Sequence, residues 1–153
     1  MTVPSTVTSI GGGAFQDCRS FTSFVFPKKI TKISDTVLGG CQIITNVEIH
    51  GDVTTIGQSS FSGCTSLEQF TIPENVAVIG PSAFHSCYLI ESIVLPKKVT
   101  VIEASLFHVC RKLKSLTILG SVNFISNYAF SECRSLPNFS IPKSVKTIEY
   151  HAF

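Results

Sequence analysis

Tryptophan is absent from this 153-residue chain, and methionine occurs once. Charge is also scarce: charged residues make up 14%, with 12 basic against 10 acidic. A net charge of +2 is too weak to argue for nucleic acid or an anionic membrane as a partner. No apolar run approaches the roughly 20 residues of a membrane-spanning helix. The opening stretch, MTVPSTVTSIGGG, has neither a basic nor an apolar region, so it is not expected to act as a secretory signal. Catalytic motifs are missing as well. There is no phosphate-binding glycine loop and no nucleophile elbow, and the acids are scattered instead of paired. Apolar residues are plentiful at 44%, enough for one domain with a real core and too many for a disordered chain.

Those apolar residues recur with a fixed period. Cys18, Cys41, Cys64, Cys87, Cys110 and Cys133 are each separated by 23 residues. Ile10, Ile33, Ile56, Ile79, Ile102, Ile125 and Ile148 keep the same spacing. So do Phe15, Phe61, Phe84, Phe107, Phe130 and Phe153, with Leu38 in the second place. Period and columns together predict a repeat solenoid in which each column lies on its equivalents above and below. Within one repeat, Phe70 and Ile72 alternate as in a half-buried strand, and Val76 and Ile79 read as a second short extended segment. GPSAFHSC predicts a single helical turn on the opposite side, with Pro81 at its first position. The strands are expected to form a parallel sheet along one face. At about 4.8 Å per step, about six and a half coils over residues 1–153 make one array about 30 Å long. The proline column is interrupted by His50 and Leu119, where Gly51 and Gly120 are expected to supply the turn through positive φ.

The repeats CTSLEQFTIPENVAVIGPSAF (64–84) and CRSLPNFSIPKSVKTIEYHAF (133–153) resemble the BspA-like, Treponema-type leucine-rich repeat. The resemblance covers the whole chain. It implies a leucine-rich-repeat arc that serves as a non-catalytic protein-binding or adhesion module. It also implies a cell-surface or secreted protein that engages host or matrix proteins. An intracellular leucine-rich-repeat scaffold binding a regulatory protein is the alternative. The chain begins partway through a coil and stops short of the next cysteine, so it reads as a segment of a longer protein. Self-association of uncapped ends is the other expectation.

Three readings compete for the cysteine column. A line of sulfurs one strand spacing apart cannot surround one metal ion tetrahedrally. Neighbouring cysteines lie within disulfide range, but their parallel Cβ vectors suit the bond poorly. A buried small hydrophobe with a weak S–H donor accounts for one cysteine in every coil, and the geometry favours it. His85 and His108 share one column and form a weak candidate metal pair lacking a third ligand. His50 and His151 have no evident acidic or thiol partner. Glu68, Glu91 and Lys114 share a column that reads as a surface charge ladder.

Alternation about the inward residues places a candidate binding face on the strands: Asn46, Glu48, His50, Gln69, Thr71, Ser92, Val94, Ser115, Thr117 and Asn138, with the column prolines Pro27, Pro73, Pro96 and Pro142 expected exposed on the same face. This face lacks the Trp, Tyr and Arg of usual binding hot spots. A basic edge of Lys28, Lys29, Lys97, Lys98 and Lys143 lies alongside, with Arg19, Arg111 and Arg134 in a second basic column. It suits an acidic partner, or it solvates positions that discourage strand addition. No cofactor is implied. NFS at 138–140 is a glycosylation sequon of the kind chance supplies.

Overall fold

The computed structural model describes residues 1–137 and 140–153. Its chain coils as a parallel β-solenoid with a repeat of about 23 residues. Four-residue strands line one face: β1 (Ser23–Phe26), β3 (Asn46–Ile49), β6 (Ser92–Leu95) and β8 (Ser115–Ile118). Two-residue strands form a second column: β2 (Lys32–Ile33), β4 (Thr55–Ile56), β5 (Val78–Ile79), β7 (Val101–Ile102), β9 (Phe124–Ile125) and β10 (Thr147–Ile148). All pairings are parallel and in register with the repeat, as in Phe24 beside Val47 and Ile93 beside Leu116.

The expected helical turn does not form. In its place each coil makes a turn such as 81–86, held by two kinds of hydrogen bond. Within the coil, His85 and Cys87 N–H donate to the carbonyls of Ser82 and Phe84 three residues back. The alternate amides, of Ser82, Phe84 and Ser86, donate instead to Ala104, Leu106 and His108 in the next coil. Alternation of this sort needs two residues per turn in the left-handed region, which breaks a helix at once. Ser82 (φ 56°) and Ser86 (φ 58°) provide them here, and the equivalent positions have the same sign along the array. Most are not glycine; Val109 at φ 63° is a β-branched residue where such a backbone is costly, on the order of 1–2 kcal/mol.

The core lies between the strand face and the turns. Phe61, Phe84, Phe107, Phe130 and Phe153 stack face to face at centroid spacings of 5.3–5.7 Å. Leu38 interrupts that stack, and Phe15 packs instead on Phe21 and Phe24. Cys41, Cys64, Cys87 and Cys110 are fully buried, Cys18 and Cys133 half-buried, and all six are free thiols. Each thiol from Cys41 onward donates to a main-chain carbonyl 26 residues back, at 3.1–3.3 Å. Phe61 oxygen, for example, accepts both the Cys64 amide and the Cys87 S–H. The cysteine thus fills a small apolar site and occupies a second lone pair of the turn carbonyl beside it.

At both proline exceptions the glycine lies against the preceding coil, and at Gly51 a Cβ would come within 2.2 Å of the Lys28 carbonyl oxygen; the two glycines differ in φ. Gly51 has φ 108°, as expected. Gly120 is not in the positive region; a Cβ there would lie 2.4 Å from the Lys97 carbonyl oxygen, so close approach of two coils requires it. The Gly120→Ala variant is expected to lose about 2 kcal/mol, the scale of overpacking against main chain. Gly11→Ala, with nothing within 4 Å, should change little in the same urea titration. Ser60 stands in a column otherwise filled by Ala, Val and Leu, and its buried Oγ has no hydrogen-bond partner. Ser60→Ala should therefore stabilise the fold by about 1 kcal/mol in thermal or urea unfolding.

Burial raises the cysteine thiols. Cys41 is pushed up to about 11 and Cys133 to about 12 from an ordinary 9.0, and Cys64, Cys87 and Cys110 are also raised by burial. The folded state therefore keeps protons that the unfolded chain releases above pH 9. Stability should be flat up to about pH 8.5 and fall as pH rises toward 11, by up to about 1.4 kcal/mol per pH unit for each such thiol. Urea midpoints at pH 8, 9 and 10 check this. Cys87→Ala should be less stable at pH 8 and show a shallower decline; identical slopes would contradict the assignment.

Candidate binding faces

Strand alternation sends Phe24, Val47, Phe70, Ile93 and Leu116 inward and leaves their neighbours outside. Asn46, Glu48, His50, Gln69, Thr71, Ser92, Val94, Ser115 and Thr117 are all exposed on one face, whereas Asn138 lies outside the described residues. Of the column prolines, Pro27 and Pro96 are buried and lie off that face, whereas Pro73 and Pro142 are half-buried and Pro73 borders Asn46, Glu48, His50 and Thr71 in a shallow cleft. His50 does have an acidic partner. Its Nε2 lies 3.4 Å from Glu48 Oε2, and Asn46 Nδ2 donates to Glu48 Oε1 at 3.0 Å. Spacing of two along a strand puts all three on the same face, a signal the sequence carried.

The sheet is not continuous along this face. β1 pairs with β3 and β6 with β8, but residues 70–72 form no strand, and a single bridge joins Asn46 to Gln69. The second column breaks at the same place, since β5 pairs with β4 and not with β7. Phe70 stands between Val47 and Ile93 in its column, and its ring lies against both Phe61 and Phe84, at 4.7 and 4.9 Å. Bulk alone does not break the pairing, because Phe24 fills the same column in β1, which pairs along its full length with β3. A cleft of about 800 Å³ opens there, lined by residues that include Glu68, Gln69, Thr71, Glu91, Ser92, Val94 and Lys112. Lys114 Nζ pairs with Glu91 Oε1 at 2.9 Å, and this hydrogen bond and charge hold the Glu91 carboxyl below the usual range. Glu68 forms no ion pair among the described residues.

Lys28, Lys29, Lys97, Lys98 and Lys143 are all exposed beside the strand face. Lys98 Nζ donates to Asn75 Oδ1 at 3.0 Å, across the open step. In the second basic column, Arg111 lies over the Tyr88 ring at 4.9 Å and Arg134 pairs with Glu132 at 2.7 Å.

On the turn side, the structure brings His85 and His108 together, with ring centroids 5.1 Å apart. Ser62 Oγ lies 3.3 Å from His85 Nδ1. Burial, and then the His108 charge, lower the His85 titration. Among the described residues no three His, Cys, Asp or Glu side chains converge to hold a metal ion. The rings extend further than the pair: Tyr128 lies 5.9 Å from His108 and stacks on His151 at 5.3 Å. Tyr128 and His151 are 23 residues apart, so this contact was also available from the period. No helix of the described residues is long and apolar enough to cross a membrane.

These coils match known proteins along their length. The chain resembles the T. pallidum leucine-rich repeat protein, with a TM-score of 0.71 and 26% identity over 90% of this chain and 77% of that one. A leucine-rich cell surface protein of Faecalibacterium prausnitzii gives a TM-score of 0.77 at 25% identity, covering 88% of this chain and 45% of that chain. A leucine-rich repeat protein of Bacteroides ovatus gives 0.71 at 30% identity, over 94% and 46% respectively. This chain thus spans less than half of the latter two. None of the curated proteins matches it. The model of the BspA-type leucine-rich repeat region matches six copies across residues 1–114 and 100–153, and the chain belongs to that family.

Proposed function

We propose that this array is a non-catalytic protein-binding module of a surface or secreted protein, and that it engages an extracellular host or matrix protein through its strand face. The carrying observation is the exposed set from Asn46 to Thr117, which varies freely on a scaffold whose inward columns are fixed. Membership in a leucine-rich-repeat family supports protein interaction, and the F. prausnitzii relative is described as a cell surface protein. The strand face has few hot-spot side chains, so each coil contributes modestly and affinity accumulates along the array. The basic edge favours a partner with acidic groups beside the strand contact.

The immobilised chain, incubated with extracellular matrix and serum proteins, is expected to enrich a partner. Asn46→Glu with Thr117→Glu should reduce capture about tenfold, a loss of about 1.4 kcal/mol, by repelling the partner's acidic groups without unfolding the exposed strands. Gln16→Glu on the turn side should leave capture unchanged. Capture lost only in the turn-side variant would overturn the strand-face assignment. Enrichment of cytosolic proteins with no extracellular ones would overturn the surface assignment.

A further inference from the structure

The two histidines of the turn side are arranged differently from the phenylalanines beside them. Phe84 and Phe107 lie 5.7 Å apart and within 10° of parallel. His85 and His108 follow them in the same two coils, yet their centroids are 5.1 Å apart and their planes are tilted by 43°. Tilt matters for coordination chemistry. An imidazole binds a metal ion along a nitrogen lone pair, in the plane of its ring. Rings stacked in parallel send those lone pairs along lines that never meet, whereas tilted planes intersect.

Separation matters as well. With a metal–nitrogen bond of about 2.0–2.1 Å and a ring centre about 1.1 Å beyond the nitrogen, two imidazoles at a tetrahedral angle of about 109° have centroids about 5.2 Å apart. The observed 5.1 Å matches that spacing, so the coil repeat presets the reach of a chelate. The ring nitrogens add an independent observation. Ser62 Oγ, from the preceding coil, lies 3.3 Å from His85 Nδ1. A metal-bound imidazole is ordinarily held at its other nitrogen by a hydrogen-bond partner, which fixes its tautomer and orientation. In the tautomer whose Nδ1–H donates to Ser62, Nε2 carries the lone pair. Tyr128 lies on the far side of His108, with ring centroids 5.9 Å apart. Both histidines are half-buried, and neither takes part in an ion pair among the described residues.

We propose that His85 and His108 form a two-imidazole chelate for a divalent transition ion of the Zn²⁺ and Cu²⁺ class. This goes beyond the protein-binding reading and does not depend on it. Among the described residues no third His, Cys, Asp or Glu joins the pair, so the site is an open one. The chain fills two positions, and water or a donor side chain of a bound protein fills the others. Imidazole nitrogen selects Zn²⁺, Cu²⁺ and Ni²⁺ over Mg²⁺ and Ca²⁺, which prefer oxygen. A bound ion ties two successive turns together on the side of the array where their main chains are already bonded, through Ser82, Phe84 and Ser86.

The test titrates zinc chloride into the whole chain in neutral buffer and follows the histidine ring protons by NMR. The His85 and His108 signals should shift together and saturate at one ion per chain, while those of His50 and His151 stay in place. Thermal unfolding should move to higher temperature with zinc, because the ion binds the folded array. Glutamine already stands in this column at position 16, so His85→Gln and His108→Gln are expected to keep the fold. Each should weaken zinc binding about tenfold or more and remove the thermal shift, since losing a ligand costs at least as much as losing its orienting partner. His50→Gln should bind zinc as the unaltered chain does. Magnesium chloride should shift none of the histidine signals. No saturation at millimolar zinc, a shift of one ring without the other, or undiminished affinity in His108→Gln would overturn the proposal. Equal shifts with magnesium, or zinc shifts confined to His50, His151 or the half-buried Cys18 and Cys133, would overturn it too.

Discussion

The structure depends on the main-chain ladder that joins one turn to the next. Along the turn side, every second amide from Gly13 to Phe130 except that of Tyr128 donates to a carbonyl 22 residues further on, at 2.7–3.1 Å. Between them, the remaining amides close the turn within their own coil. The arrangement satisfies a stretch of backbone that is neither helix nor strand. It tolerates no change in coil length: one inserted residue would swap the donors that face the next coil for those that face inward. That constraint explains a 23-residue period held without insertion or deletion.

Once the ladder fixes spacing, the side-chain columns follow. The phenylalanines sit one coil apart at 5.3–5.7 Å, close enough to stack and too close for anything bulkier between them. The cysteine sits where a turn carbonyl has a lone pair left after accepting the amide of its own coil. Serine would donate more strongly, but it would carry a second polar requirement into an apolar layer. Ser60, with a buried hydroxyl and no partner, shows what such a requirement looks like when it is not met. Thiol chemistry is suppressed by the same burial that gives the column its packing role.

The period made the core and the exposed columns legible, because a solenoid turns a sequence register into a position in space. It exposed Phe84 and Cys87 as packing residues and His85 with His108 as surface neighbours. The turn conformation was less legible. Left-handed positions are usually announced by glycine or asparagine, but here they are filled by Ser82, Ser86, Tyr128 and Val109, and the ladder imposes the backbone. The broken sheet was illegible for another reason. Phe70 fits the inward pattern as well as Phe24, Val47 or Ile93 does, so nothing in its column announces that the pairing stops beside it. The Glu48–His50 contact is readable in a spacing of two along one strand, but it lies within a single coil, where the 23-residue columns carry no information.

A repeat array is coupled through nearest-neighbour interfaces, so its weakest interface governs local opening. Most steps here are joined by the turn ladder and by β pairing in at least one strand column. The step between 69–79 and 92–102 retains the turn ladder and loses both β columns. At this step the coils are held by the turn ladder and by side-chain packing, with Phe84 and Phe107 stacked across it and Phe70, Ile72, Ile93 and Leu95 buried on its two sides. Packing therefore does there what β pairing does elsewhere. The array thus keeps one continuous core on a strand face whose pairing is interrupted, and its continuous hydrogen-bonded spine lies on the turn side, where the period is set.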